Sequence, residues 1–201
     1  MNGRKPRRDS DVMVSNFGHK ELLCKFLVIG DYGVGASRLF YSLIFENSSV
    51  TPGCSARFAP DVAGHERFGY MTRVYYKYAV AAALVFDISR IATFHSIKKW
   101  LYDLREKVML PDGSNIPVVL LANKCDIPRP AVPVEQIARF CKEHDIGAWY
   151  VTSAKENTNI DIAMRYLVEN VLKNKIDGGV RDSVRLRDRP PLREKNGCCK
   201  T

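Results

Sequence analysis

Four short apolar runs set the rhythm of this chain, at residues 26–29, 79–87, 117–122 and 149–152. They are rich in Val, Leu, Ile and Ala and lack the polar alternation of a half-exposed strand, so they predict strands buried on both faces. Between them the spacing becomes helical. A helix is predicted over 37–45, and a second over 93–107 with Ile97, Leu101 and Leu104 on one face and Val108 just beyond it. A third runs from Pro133, well placed at a first helical position, to about Glu143. A fourth covers 161–173 and aligns Ile162, Met164, Leu167, Val168 and Val171. Strands alternating with helices predict an α/β domain, a mainly parallel sheet with helices on both faces. In such sheets ligands bind beyond the carboxyl ends of the strands, and the polar stretches after Ile29, Ala122 and Thr152 all fall there.

Residues 47–60 show no periodicity and read as a loop, followed by Asp61-Val-Ala-Gly64-His65-Glu-Arg-Phe and a helix through 71–77. The 201 residues therefore suggest a basic arm over 1–20, one domain over 21–173, and a charged, proline-bearing tail over 174–201. Of the formal charge of +9, +6 lies in residues 1–11 and 174–201. Aromatics do not interleave with these basic ends, which favours an anionic membrane over nucleic acid as the partner. No apolar run approaches the ~20 residues of a membrane helix. Cys24, Cys54, Cys125 and Cys141 are scattered without metal-ligand spacing and read as thiols of a reducing compartment. His19, His95 and His144 form no cluster.

The stretch from Lys25 to Ser37 carries the first chemical signal. A strand breaks at Gly30 into Asp31-Tyr32-Gly33-Val34-Gly35 and restarts as a helix at Ala36-Ser37. Such a turn gathers backbone N–H groups at the positive end of a helix dipole and can cradle a phosphate. The spacing is that of a phosphate-binding loop, Gly-x4-Gly-Lys-Ser/Thr, except that Ala36 holds the lysine position. That lysine ordinarily reaches the β- and γ-phosphates.

Further on, Asp61-x-x-Gly64, Asn123-Lys124-x-Asp126 and Ser153-Ala154-Lys155 follow in order. Over roughly residues 20–173 the chain resembles the Rab small GTPases. The runs Glu66-Arg-Phe-Gly-Tyr-Met-Thr-Arg-Val-Tyr-Tyr-Lys77, Leu110-Pro-Asp-Gly-Ser114 and Cys141-Lys-Glu-His144 are similar to the branch serving lysosome-related organelles such as melanosomes. The resemblance implies the phosphate-loop (small G protein) fold. It also implies GTP/GDP and Mg²⁺ as ligands. Gly33, Val34, Gly35, Ala36 and Ser37 would then line the phosphates, with Asp61 and Gly64 beyond them. Ser37 would bind Mg²⁺ directly, and Asp61 would orient the metal's shell through water. Asp126 would accept the N1–H and exocyclic amine of guanine, a donor pair that adenine lacks. Asn123 would brace the loop, Lys124 cover the ring, and the Ala154 N–H, flanked by Ser153 and Lys155, meet the guanine oxygen.

Three departures stand against this pattern. Ala36 removes a charge-assisted contact worth ~1.5–3 kcal/mol. His65 occupies the family's glutamine position, which orients the attacking water, so slow hydrolysis is expected. Between Thr51, a faint echo of the metal-binding switch threonine, and Asp61 only nine residues intervene, with Pro52 and Pro60 among them. The family's antiparallel edge hairpin needs about a dozen residues, so it is expected to be shortened or missing, and the strand before Asp61 lost with it.

Cys198-Cys199-Lys-Thr resembles the twin-cysteine ends on which Rab proteins carry two geranylgeranyl lipids. Two chains with a basic tail anchor a protein stably where one does not. The resemblance thus implies a lipid-anchored regulator of vesicle traffic on the cytoplasmic face of endosomal or lysosome-related membranes. Its partners would be exchange factors, escort or GDI-type chaperones and effectors, with no nucleic acid. The departures leave a second reading open, a pseudo-GTPase scaffold acting through protein contacts without a nucleotide switch. A divergent or truncated gene product is a third.

Overall fold

A computed structural model describes residues 22–45, 54–59, 76–110, 112–177 and 185–186. Five strands form one parallel sheet in the order β2-β1-β3-β5-β6: β1 Leu22–Gly30, β2 Cys54–Ala59, β3 Ala79–Asp87, β5 Val118–Asn123 and β6 Ala148–Val151. The helices are α1 Ala36–Phe45, α2 Ile91–Lys107, α3 Val134–Glu143 and α4 Ile160–Asp177.

Residues of alternate parity along β1, β3 and β5 pack on opposite faces, because side chains of a strand alternate across the sheet. On one face Leu27, Ile29, Leu84, Phe86 and Leu120 meet Phe94, Ile97, Leu101 and Leu104 of α2 and Ile137 of α3. On the other, Phe26, Val28, Ala83, Val85 and Leu121 meet Leu39 of α1 and Met164, Leu167 and Val168 of α4. Pro133 caps α3 from just outside its first turn. The fold class read from the sequence is the one observed.

The edge of the sheet departs from expectation. The strand before Asp61 is kept: β2 pairs parallel with β1 in a register running from Leu22↔Cys54 to Leu27↔Ala59. Pro52 and Pro60 flank Cys54–Ala59 in sequence without entering it, and six residues suffice for one strand, though not for two and a turn. No antiparallel partner of β2 occurs among the described residues. The last helix also outlasts its pattern, running to Asp177. Beyond it β7, Arg185–Leu186, pairs antiparallel with β4, Val108–Met109, inside the segment expected to be tail.

The fully buried Leu120 sits where α2 and α3 meet the sheet. Leu120→Ala should lower unfolding stability by about 2–5 kcal/mol, whereas Ile162→Ala, on a 55% exposed side chain, should change it by less than about 0.5 kcal/mol. Chemical denaturation of the two variants checks this.

Candidate functional site

At the carboxyl edge of the sheet β1 ends on a glycine because nothing larger fits. A Cβ on Gly30 would stand 2.3 Å from the Val85 carbonyl oxygen. The chain then turns through Asp31–Gly35, with Gly33 and Gly35 at φ of 77° and 92°, the left-handed region that favours glycine. A Cβ on Gly35 would also meet Asn123 Nδ2 at 2.5 Å. The Val34 N–H donates to the Asp31 carbonyl (3.3 Å), and α1 is engaged by the Leu39 N–H to Gly35 carbonyl bond (3.0 Å).

Side chains from three other segments hold this loop. Trp100 Nε1 donates to Asp31 Oδ1 (2.8 Å), Arg90 Nη2 to the Tyr32 carbonyl (3.3 Å), and Asn123 Nδ2 to the Val34 carbonyl (2.7 Å). The glycine turn thus leads directly into the N-terminus of α1, the kind of geometry that attracts anions in other proteins. Ala36, 3% exposed, packs beneath the loop with Val34 and Leu39 and brings no charge. Ser37 lies exposed on the first turn of α1.

The second loop pair is built around Asn123, the buried last residue of β5. While its Nδ2 holds the phosphate loop, its Oδ1 accepts from Thr152 Oγ1 (3.3 Å) and from the Ala154 N–H (3.0 Å). That bond differs from the role the resemblance assigns to Ala154: here its N–H faces the bracing asparagine. Ser153 Oγ donates to Asp126 Oδ1 (2.6 Å) and accepts from the Glu156 N–H (3.1 Å). The Ser153 hydroxyl holds the Asp126 carboxyl below the usual carboxylate range, helped by Lys155 and Lys124. Lys155 Nζ lies 4.0 Å from Asp126 Oδ2. The result is an ionised acceptor with one oxygen fixed in place. Arg38 of α1 closes the ring by donating to the Ala154 carbonyl (3.1 Å).

Lys124 takes a left-handed backbone (φ 69°), which turns the chain out of β5. Its ammonium pairs with Asp87 Oδ2 at 2.8 Å. Asp87 and Arg90 are functional candidates that the motif reading missed. Asp87 ends an otherwise apolar strand on the same sheet edge, paired in register with Asn123, and that placement was the available signal. Burial opposes the charge on Asp87, yet hydrogen bonds from Lys124, Ser89 and Arg90 bring its carboxyl down to about 2.

Of the other residues singled out in the sequence, Thr51, Asp61, Gly64, His65, Cys198 and Cys199 lie outside the described residues. Residues 71–75 of the helix read over 71–77 do too. Among the described residues no group of three or more His, Cys, Asp or Glu could hold a metal ion. The glycine turn, the Asp126 carboxylate with one oxygen held by Ser153 and the presence of Ser37 on the first turn of α1 are residue types that fit a guanine nucleotide.

The depressed acid at Asp87 makes a pH prediction. Its stabilisation is complete above the ordinary value of 3.8 and is lost as pH falls from there towards about 2, because only the unfolded chain takes up the proton in that window. Asp87→Asn should flatten this part of the stability profile, leaving a smaller loss between pH 4 and 2 in acid titrations followed by circular dichroism.

Comparison with known proteins agrees with this geometry. A profile described as Ras family matches residues 58–173. The mouse Ras-related protein Rab-32 is 42% identical over 207 aligned positions, covering 90% of this chain and 92% of that protein. The human Rab-32 is 46% identical with 77% of each chain covered. The human Ras-related protein Rab-7L1 is 39% identical over 78% of this chain and 86% of its own length. With a Ras-family match over more than half its length and relatives of this identity and coverage, the chain belongs to the Rab small GTPases of membrane trafficking, in the branch that includes Rab-32 and Rab-7L1.

Proposed function

We propose that the protein is a guanine-nucleotide switch whose base-recognition half is intact and whose phosphate half is weakened, acting in traffic to lysosome-related organelles. Family membership implies guanine nucleotide, Mg²⁺, and regulators or effectors in general. The observation that carries the reading is the Asn123 bridge, which holds the phosphate loop and the Ser153–Lys155 loop in one arrangement with Asp126 fixed beside them. In this reading Asp126 selects guanine, the amides at the start of α1 receive the phosphates, and Ser37 with Asp61 and Thr51 holds Mg²⁺. Bound Mg²⁺ would screen the phosphate charge.

Ala36 leaves the β- and γ-phosphates without their usual cation, so affinity falls by roughly one to two decades relative to a lysine there. His65 at the glutamine position, with Gly64 before it, makes hydrolysis slow. The tail then brings the protein to the cytoplasmic face of endosomal or lysosome-related membranes through geranylgeranyl groups on Cys198 and Cys199, two lipids supported by basic charge. Exchange factors, an escort or GDI-type chaperone and effectors are the partners this requires.

Titration of the purified protein with a fluorescent GDP analogue, with and without Mg²⁺, tests the switch. Binding should strengthen about 10–100-fold in Ala36→Lys and weaken at least about tenfold in Asp126→Asn. Single-turnover GTP hydrolysis should rise in His65→Gln. Absence of binding in both the native chain and Ala36→Lys would sink the switch and favour a scaffold that works through protein contacts alone.

A further inference from the structure

Arg90 stands immediately before α2, with its side chain about half exposed. Its Nε donates to Asp87 Oδ2 at 3.0 Å, and its Nη2 donates to the Tyr32 carbonyl at 3.3 Å. The same Nη2 lies 3.5 Å from the place a Cβ on Gly33 would take. The guanidinium thus rests against the phosphate loop and is held there from behind by a carboxylate that is only 2% exposed.

That carboxylate is shared. Asp87 Oδ2 also receives Lys124 Nζ at 2.8 Å, while Oδ1 receives the Ser89 N–H (3.0 Å) and hydroxyl (2.6 Å). The turn out of β3 is also held by the Ser89 bonds, by the Arg90 N–H to Asp87 carbonyl bond (2.9 Å) and by Thr93 Oγ1, which accepts from the Asp87 N–H (3.0 Å) and donates to the Arg90 carbonyl (2.7 Å). The fork of a guanidinium, able to span two acceptors at fixed geometry, is what lets the Arg90 side chain join Asp87 to a carbonyl 58 positions before Arg90. Arg90 and Lys124 thus place two cations on one carboxylate beside a loop that itself carries Asp31 and whose lysine position is the uncharged Ala36.

We propose that Arg90, aimed by Asp87, is a positioning residue for the nucleotide diphosphate: it splints the phosphate loop through the Tyr32 carbonyl, supplies positive charge that Ala36 does not, and ties that loop to Lys124 of the base loop. The proposal rests on the guanine-nucleotide reading of the site for its ligand, but the splint itself is present without ligand. The two parts can therefore be tested separately.

The experiment uses the full chain and the variants Arg90→Ala and Arg90→Lys. Amide hydrogen exchange is measured in the nucleotide-free state and GDP affinity is measured by titration. In Arg90→Ala, exchange at residues 33–36 should speed about tenfold while the amides of β3 and β5 are unchanged, and the GDP dissociation constant should rise about tenfold, the size of one charge-assisted hydrogen bond. Arg90→Lys keeps the charge but cannot span both acceptors, so its exchange should stay within about threefold of Arg90→Ala. Unchanged loop exchange overturns the splint, and so does a uniform rise through the sheet, which marks a general loss of stability. Native loop protection in Arg90→Lys overturns the two-acceptor bridge. If exchange responds as stated while the native chain takes up no GDP, the switch reading and the diphosphate role fall together and the splint stands alone.

Discussion

The amide of Asn123 joins two loops that lie far apart in the chain. One end donates to the Val34 carbonyl, 89 positions away, and the other accepts from the Ala154 N–H and the Thr152 hydroxyl. A side-chain amide is suited to this because it offers donors and an acceptor on one rigid plane. Asn123 is 1% exposed, so each of these bonds forms where water does not compete, and an unmade partner would cost its full desolvation. The sheet makes the junction possible. Parallel pairing of β3 with β5 and of β5 with β6 brings Asp87, Asn123 and Thr152 to the same edge.

Around that junction the two halves of the site differ in chemistry. On the base side Ser153 fixes Asp126, and Lys124 is paired with Asp87. On the phosphate side the loop has the glycines, the helix and three side-chain braces, but its lysine position carries a buried methyl group at Ala36. Backbone amides and a helix dipole can still attract an anion. The proposed weak phosphate half rests on this difference: a glycine turn and helix start without a lysine at position 36.

Much of this was legible from the residues. The continuous apolar runs and the helical spacings between them are direct consequences of burial on two faces, so strands at 26–29, 79–87 and 117–122 and the helices after them were readable. Asn123, Asp126 and Ser153 were readable as polar residues stranded at strand ends. The edge strand was not. Its sequence, Cys-Ser-Ala-Arg-Phe-Ala, alternates only over a short stretch, and nearby prolines weighed against it although they lie outside it. Arg90 and Trp100 were missed because their contacts with Tyr32 and Asp31 cross 58 and 69 positions, a proximity fixed by topology and not by local pattern. The Ala154 N–H was read as facing the ligand, and only the packing of Asn123 beneath it shows the nearer acceptor.

The central claim is that one buried amide organises both loops. Amide hydrogen exchange of Asn123→Ala against the native chain tests this most directly, with protection followed at residues 33–36 and 152–155 in the same experiment. Protection should fall at both loops together while the cores of β1 and β3 are unaffected. Loss at one loop alone, or at neither, would contradict it.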